Sequence, residues 1–179
     1  MQIISGRFRA KKLIEYYNSK TRPSSSRTKE GIFNVIENIC GVNGKVVLDL
    51  FSGSGQFGLE CISRGATHVT FNDHDPEAIS IIKKNLLTLK EHNSCVEVFN
   101  LNYTDCLSKL EKKYDIIFLD PPYQQASLIH ITLDFIQSHN LLALDGVIVI
   151  ENESSTLQFQ NFKTKTKTYG KAVVYFLTR

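Results

Sequence analysis

The 179-residue chain lacks several patterns that would place it in a class at once. Its four cysteines (Cys40, Cys61, Cys95 and Cys106) include no C-x-x-C pair. That argues against a disulfide framework or zinc site and for small side chains in a reducing compartment. Its five histidines form no H-E-x-x-H or comparable pattern, so no metal is expected. No apolar run approaches the length of a membrane span and no apolar signal region opens the chain, so a cytoplasmic protein is expected. Internal repeats and low-complexity segments are also missing. What remains is ordinary globular composition, 42% hydrophobic and 22% charged, at a length that fits one domain with a proper core.

Charge is unevenly spread. Residues 1–45 hold nine Lys/Arg (Arg7, Arg9, Lys11, Lys12, Lys20, Arg22, Arg27, Lys29, Lys45) against three acids (Glu15, Glu30, Glu37), while the whole chain nets +3. A basic front end therefore precedes a mildly acidic body, the footprint of a polyanion binder. Lys163, Lys165 and Lys167 alternate with threonines, which suits an addition to the phosphate-contacting surface or, more readily, the exposed face of a soluble edge strand.

Hydrophobic periodicity organises the rest. Residues 3–14 read as a short strand or hairpin, and 16–23 as a loop. The serines at 24–26 supply helix caps, and Ile32, Val35, Ile36 and Ile39 form one helical stripe closed by Gly41 and Gly44. Strands are predicted at 46–50, 68–72, 96–99, 114–119, 146–150, 159–168 and 171–178. Helices are predicted at 56–64, from Pro76 with Asp75 as its cap, at 103–112 and at 126–139. The alternation implies an α/β fold, a mostly parallel seven-stranded sheet with helices on both faces. Its last two strands, turned at Tyr169-Gly170, form an antiparallel hairpin. Residues 1–22 make a basic extension on a core of 23–179.

Asp49-Leu50-Phe51-Ser52-Gly53-Ser54-Gly55-Gln56-Phe57-Gly58 leaves the first core strand and opens a helix. Gly53, Gly55 and Gly58 satisfy G-x-G-x-x-G, which suits a dinucleotide pyrophosphate at a helix N-terminus. The same loop suits S-adenosylmethionine, whose amino-acid portion needs close backbone approach; Asp49 can take its ammonium. Asp73, 20 residues after Gly53 at the end of the second strand, can accept two ribose hydroxyls. Asn102 can bond an adenine amino group while the backbone N–H of Tyr103 reaches a ring nitrogen.

Asp115-Ile116-Ile117-Phe118-Leu119-Asp120-Pro121-Pro122-Tyr123 ends an apolar strand in an acid, two prolines and a ring. The prolines cannot donate to a ladder, so they stop the strand at its carboxyl edge, where open α/β sheets bind ligands. A carboxylate, directed carbonyls and a flat aromatic face suit an exocyclic amino group on a stacked heterocycle. The glycine loop, Asp73 and Asp-Pro-Pro-Tyr end strands one, two and four, and these ends meet at one edge of a parallel sheet.

Taken together, these motifs resemble those of the D-P-P-[YF] amino-methyltransferases, and among them the RsmD family. The likeness extends to Ile3-Ile4-Ser5-Gly6-Arg7-Phe8-Arg9, Lys12-Leu13, and Arg22-Pro23-Ser24-Ser25-Ser26-Arg27-Thr28-Lys29-Glu30 running into Ile32-Phe33-Asn34. The resemblance implies a Rossmann-like class I fold and S-adenosyl-L-methionine as cofactor, held by Asp49, Phe51, Ser52, Gly53, Gly55, Asp73, Asn102 and Tyr103. It implies methylation of the N2 amino group of a guanine in 16S rRNA, in the small subunit or an assembly intermediate, by a monomer. Asp120 and the Pro121 carbonyl would accept the two N–H bonds, Pro122 would stiffen the turn and Tyr123 would stack on the base. Arg7, Arg9, Lys11, Lys12, Arg22 and Arg27 would contact phosphates. The family often has Asp at Ser26, Arg at Lys29 and an acid at Asn102, so ligand contacts near Lys29 are expected to differ, since Lys lacks the guanidinium fork. The competing readings are a DNA adenine-N6 or cytosine-N4 methyltransferase, another rRNA amino-methyltransferase, a nicotinamide oxidoreductase and a non-catalytic RNA-binding module. Against the DNA enzymes stands the lack of room for a target-recognition domain.

Overall fold

The computed structural model describes residues 1–16, 25–90, 95–121, 126–152 and 156–179. Among them run α1 (Ser26–Ile39), β1 (Val46–Asp49), α2 (Gln56–Ser63), β2 (His68–Asn72), α3 (Pro76–Thr88), β3 (Val96–Phe99), α4 (Tyr103–Leu107), β4 (Tyr114–Leu119), α5 (Ala126–Ser138), β5 (Leu142–Asn152), β6 (Lys163–Tyr169) and β7 (Ala172–Thr178). Seven strands make one sheet in the order β3-β2-β1-β4-β5-β7-β6. β1 to β5 are parallel, and β7 lies antiparallel between β5 and β6.

The order reverses between β1 and β4. From β1 the chain moves outward through β2 to β3, then returns to place β4 on the other side of β1, with Asp49 opposite Phe118. The loops leaving β1 and β4 consequently diverge and leave a crevice at their carboxyl ends. One apolar layer under α1, α2 and α3 joins Phe33, Phe57, Phe71, Phe118, Val149 and Phe176. The other, under α4 and α5, joins Leu50, Ile117, Ile129, Ile136, Ile148 and Tyr175. Both layers press on β1, β4 and β5, whose buried runs show no polar alternation, as a sheet covered on both sides requires.

Local chemistry sets the boundaries. Ser25 caps α1 through Thr28 N–H at 3.1 Å, and Asp75 caps α3 through Glu77 N–H at 2.8 Å ahead of Pro76. Three elements differ from the sequence expectation. α4 stops at Leu107 instead of residue 112, because Ser108 turns back on Asp105 O at 2.9 Å and Lys109 N–H closes on Cys106 O. β6 begins at Lys163, not near 159: Phe159 packs edge-on against Tyr175, and Asn161 takes a left-handed φ of 68° that a strand cannot hold. β5 is longer than 146–150, since Leu142 already pairs with Tyr114 across an irregularity in the register.

Residues 1–13 fold back as a hairpin with a single antiparallel bridge between Gln2 and Lys12. It is bound to the core. Glu60 of α2 accepts Ile4 and Ser5 N–H, each at 2.9 Å, and Gly6 fits so closely that a Cβ there would sit 1.9 Å from Ser63 O. Ile14 exchanges two hydrogen bonds with the Asn85 side chain of α3, at 2.8 and 3.0 Å.

Candidate active site

The glycine loop grows out of β1. Asp49 ends the strand with its side chain 2% exposed, and its Oδ2 accepts Gly58 N–H at 3.0 Å. Gly53 and Gly55 hold φ values of 51° and 77°, a left-handed turn that favours glycine. Gly58 serves packing instead: a Cβ would lie 2.2 Å from the Phe71 ring, so α2 can approach β2 only without one. Ser52 locks the loop by donating to Asp49 O at 2.6 Å and accepting Asn72 N–H at 3.1 Å.

Asp73 follows β2 and joins the two loops. Its Oδ2 accepts Gly53 N–H at 2.8 Å and its Oδ1 accepts Asp75 N–H at 2.9 Å. Asp75 in turn accepts the Tyr16 hydroxyl at 2.5 Å, and that bond is the main reason its carboxyl sits below the ordinary range. The buried Tyr16 ring also faces Gly53, 3.8 Å from where a Cβ would stand. A hydrogen-bonded chain thus runs from the N-terminal segment through Asp75 and Asp73 to the glycine loop.

Beyond β3, Asn102 caps α4. Its Oδ1 accepts both the N–H and the hydroxyl of Thr104, at 2.9 and 2.8 Å. The side-chain oxygen predicted to meet adenine is therefore already engaged in the helix start. The half-buried rings of Phe51 and Tyr103 stand beside it with centroids 5.9 Å apart. Asn100, which sequence reading passed over, donates to Asp73 O and His74 O at 2.9 and 3.0 Å and fixes the turn after β2.

Asp120 leaves β4 two residues beyond the Asp49–Phe118 pair, so the acid and the glycine loop share one rim. Its carboxyl is pushed well above the ordinary range by burial, then by the negative field of Glu151 and of Asp49. Glu151, at the end of β5, is 5% exposed and lines a small cleft with Asp120, Phe57 and Phe118. It too was missed, although an acid ending an apolar run is the same signal that marks Asp49 and Asp120. Pro121 is buried behind Asp120. The predicted roles of Pro122, Tyr123 and Arg22 fall outside the described residues.

Lys29 is a correction. It lies 2% exposed inside the protein, 3.4 Å from Glu60 and donating to Gln2 O at 2.9 Å. It ties α1, α2 and the hairpin together and does not face the ligand crevice. The basic residues separate as well. Arg7 and Arg9 sit at the hairpin tip beside Ser63, where α2 ends on the amino side of the sheet. Arg27 lies in the first turn of α1, at the rim. All of Arg7, Arg9, Lys11, Lys12 and Arg27 are exposed.

The residues present decide between the two cofactors the glycine motif admits. A pyrophosphate would meet the Asp49, Asp73 and Asp120 carboxyls, acceptors that offer an anion nothing it needs. A ligand carrying an ammonium meets the opposite: the Asp49 carboxyl for its cation and Asp73 for ribose hydroxyls. Gln56 Oε1, buried next in the chain to Gly55 and without a partner among the described residues, adds an acceptor suited to a donor such as an ammonium. The set fits S-adenosylmethionine.

Sheet order and site together define a class I S-adenosylmethionine-dependent methyltransferase fold. A family model described as Conserved hypothetical protein 95 matches residues 1–178, and the chain belongs to that family, the one containing the RsmD enzymes. A Bacillus subtilis (strain 168) protein, YlbH, provisionally named an rRNA methyltransferase, is 38% identical over 95% of this chain and 94% of its own length. Ribosomal RNA small subunit methyltransferase D of Buchnera aphidicola subsp. Baizongia pistaciae (strain Bp) is 36% identical over 87% of this chain and 77% of its own. The solved structure of Escherichia coli YhhF, provisionally named a methyltransferase, superposes with a TM-score of 0.85 at 29% identity, covering 100% of this chain and 97% of that one.

Proposed function

We propose that the protein methylates the exocyclic N2 amino group of one guanine in small-subunit rRNA. The observation that carries this reading is the common rim of Asp120 and the Gly53–Gly55 turn, across the β1–β4 switch point. The family membership and the exposed basic residues support an RNA substrate.

S-adenosylmethionine, when bound, supplies an electrophilic methyl on a sulfonium; Asp49, the glycine loop and Asp73 would hold its amino-acid and ribose parts. The lone pair of guanine N2 is drawn into the ring and is a poor nucleophile. Asp120 and the Pro121 carbonyl accept its two N–H bonds, which favours a pyramidal nitrogen with its lone pair aimed at the methyl. The nitrogen becomes acidic only as the new C–N bond forms, so its proton passes late, to the waiting Asp120 carboxylate. Tyr123 would stack on the base, a contact worth about 1–3 kcal/mol. The guanine must be unpaired or extruded to reach this edge. The substrate would be 16S rRNA in the small subunit or an assembly intermediate, and the working form a cytoplasmic monomer, with residues 1–22 as the basic extension of the core.

Mass mapping of methylated nucleosides in rRNA from cells with and without the gene tests this. Loss of one N2-methylguanine from small-subunit rRNA is expected. An unchanged rRNA pattern, with methyl transfer by the purified protein to DNA adenine or cytosine, would overturn it.

A further inference from the structure

We propose that the outer face of β6 is a second docking track for the phosphate backbone of the RNA substrate, leading from the sheet edge to the rim that carries Asp120. It rests on the reading of the substrate as RNA.

The register supplies the geometry. Lys167 pairs with Val174, which pairs with Glu151, and Lys165 pairs with Phe176, which pairs with Val149. Directly paired residues share a face, so these lysines project from the same side of the sheet as Glu151. Leu119 pairs with Ile150, which places Asp120 level with Glu151 one strand further in. Lys163, Lys165 and Lys167 are therefore a column on the catalytic face, roughly 7 Å apart. That spacing is comparable to successive phosphates on a strand. From β6 to β4 is three strand spacings, about 14 Å, but Val174, Phe176 and Val149 between them are buried with α1, so the track must follow the rim.

The column continues onto α1. Tyr169 ends β6 with its ring against Gly31, where a Cβ would lie 2.3 Å from Cε1. Arg27 stands four residues earlier, on the same side of the helix. Since α1 ends at Ile39 and leads to the start of β1, it runs against the strands, and its first turn lies at the carboxyl rim. Lys163, Lys165, Lys167, Tyr169 and Arg27 thus follow one path toward the site.

Charge along that path is mostly positive, with exposed Glu30 beside Gly31 the one acid in the first two turns of α1. From residue 154 to 179 the chain has five basic residues and no acid. Residues 163–168 are all exposed, and among the described residues none of the three lysines or Arg27 forms an ion pair. Edge strands also carry lysines to block pairing with another chain. That purpose needs neither Arg27 nor a column aimed at the catalytic rim.

The test is the salt dependence of binding to a labelled RNA stem–loop by the full chain and by a Lys163→Gln/Lys165→Gln/Lys167→Gln variant. Each phosphate contact contributes about 0.7–0.9 to the slope of log affinity against log salt. The slope is expected to fall by roughly two with cofactor affinity unchanged, while the triple Arg variant keeps it. An unchanged slope in the Gln variant would overturn the proposal, as would unchanged RNA affinity accompanied by self-association, the mark of edge protection. If the unaltered protein shows no salt-dependent RNA binding at all, the RNA reading itself fails.

Discussion

Glu60 of α2 holds the Lys29 ammonium of α1 at 3.4 Å, with both side chains out of solvent. The same carboxylate takes the Arg64 Nε at 3.0 Å and caps the hairpin backbone at Ile4 and Ser5. Burial pulls the Lys29 pKa down, and Glu60 works against that pull. Glu60→Ala would leave a buried ammonium uncompensated and two amides unpaired. A loss of about 3–5 kcal/mol is expected in urea unfolding. A loss below about 1 kcal/mol would mean that the pair is not a structural anchor.

Asp120→Ala is expected to lower turnover by about two orders of magnitude or more while cofactor affinity by calorimetry stays near that of the unaltered protein. The raised pKa of Asp120 adds a pH signature. Only the ionised carboxylate accepts both an N–H bond and the late proton, so kcat should rise with pH through a limb above the ordinary carboxylate range. Asp120→Asn, which keeps an acceptor oxygen, should retain more activity than Asp120→Ala and lose that limb. Equal loss of turnover and cofactor affinity would instead put Asp120 in the cofactor site.

Burial lifts Asp49 from 3.8 to about 7. The folded protein then keeps a proton that the unfolded chain releases at lower pH. Its contribution to stability is complete below about 3.8 and is lost as pH climbs to about 7. Asp49→Asn has no such proton. Denaturant midpoints of the cofactor-free proteins should show the unaltered chain losing stability relative to the variant across that window, by a few kcal/mol on the order of magnitude of the shift. Parallel midpoints would show that Asp49 titrates normally.

Tyr16 reaches the glycine loop through Asp75, Asp73 and the packing of its ring. Tyr16→Phe keeps the ring and removes the hydroxyl bond of 2.5 Å. The loss of one such bond, about 0.5–1.5 kcal/mol, should weaken cofactor binding by a few-fold and raise its KM with kcat little changed. Unchanged cofactor affinity in calorimetry would separate the N-terminal segment from the site.

The parts of this molecule that sequence discloses are those written in local chemistry. Asp75-Pro76 announces a helix start because the cap and the fixed φ act on adjacent residues. The Gly53–Gly55 turn and the Asp120-Pro121 strand stop are equally local, and they located the rim. Lys29, Tyr16 and Asn85 were not legible, since each acts on a partner tens of residues away and nothing beside it in the chain shows the pairing. Asn102 was legible in position but not in what it bonds. A residue that can bond a ligand can equally bond a helix N–H, and only the fold shows that it does. α4 was overextended because Leu110 continues an apolar spacing that Ser108 has already interrupted.

The hairpin's anchors have a bearing on how the chain is made. Ser5 and Phe8 find their partners 55 positions downstream, and Ile14 finds Asn85 71 positions downstream. Residues 1–16 leave the ribosome ahead of α2 and α3 and cannot complete their docking until both have emerged behind them. Over that interval the nascent chain carries a cationic segment without its anchors.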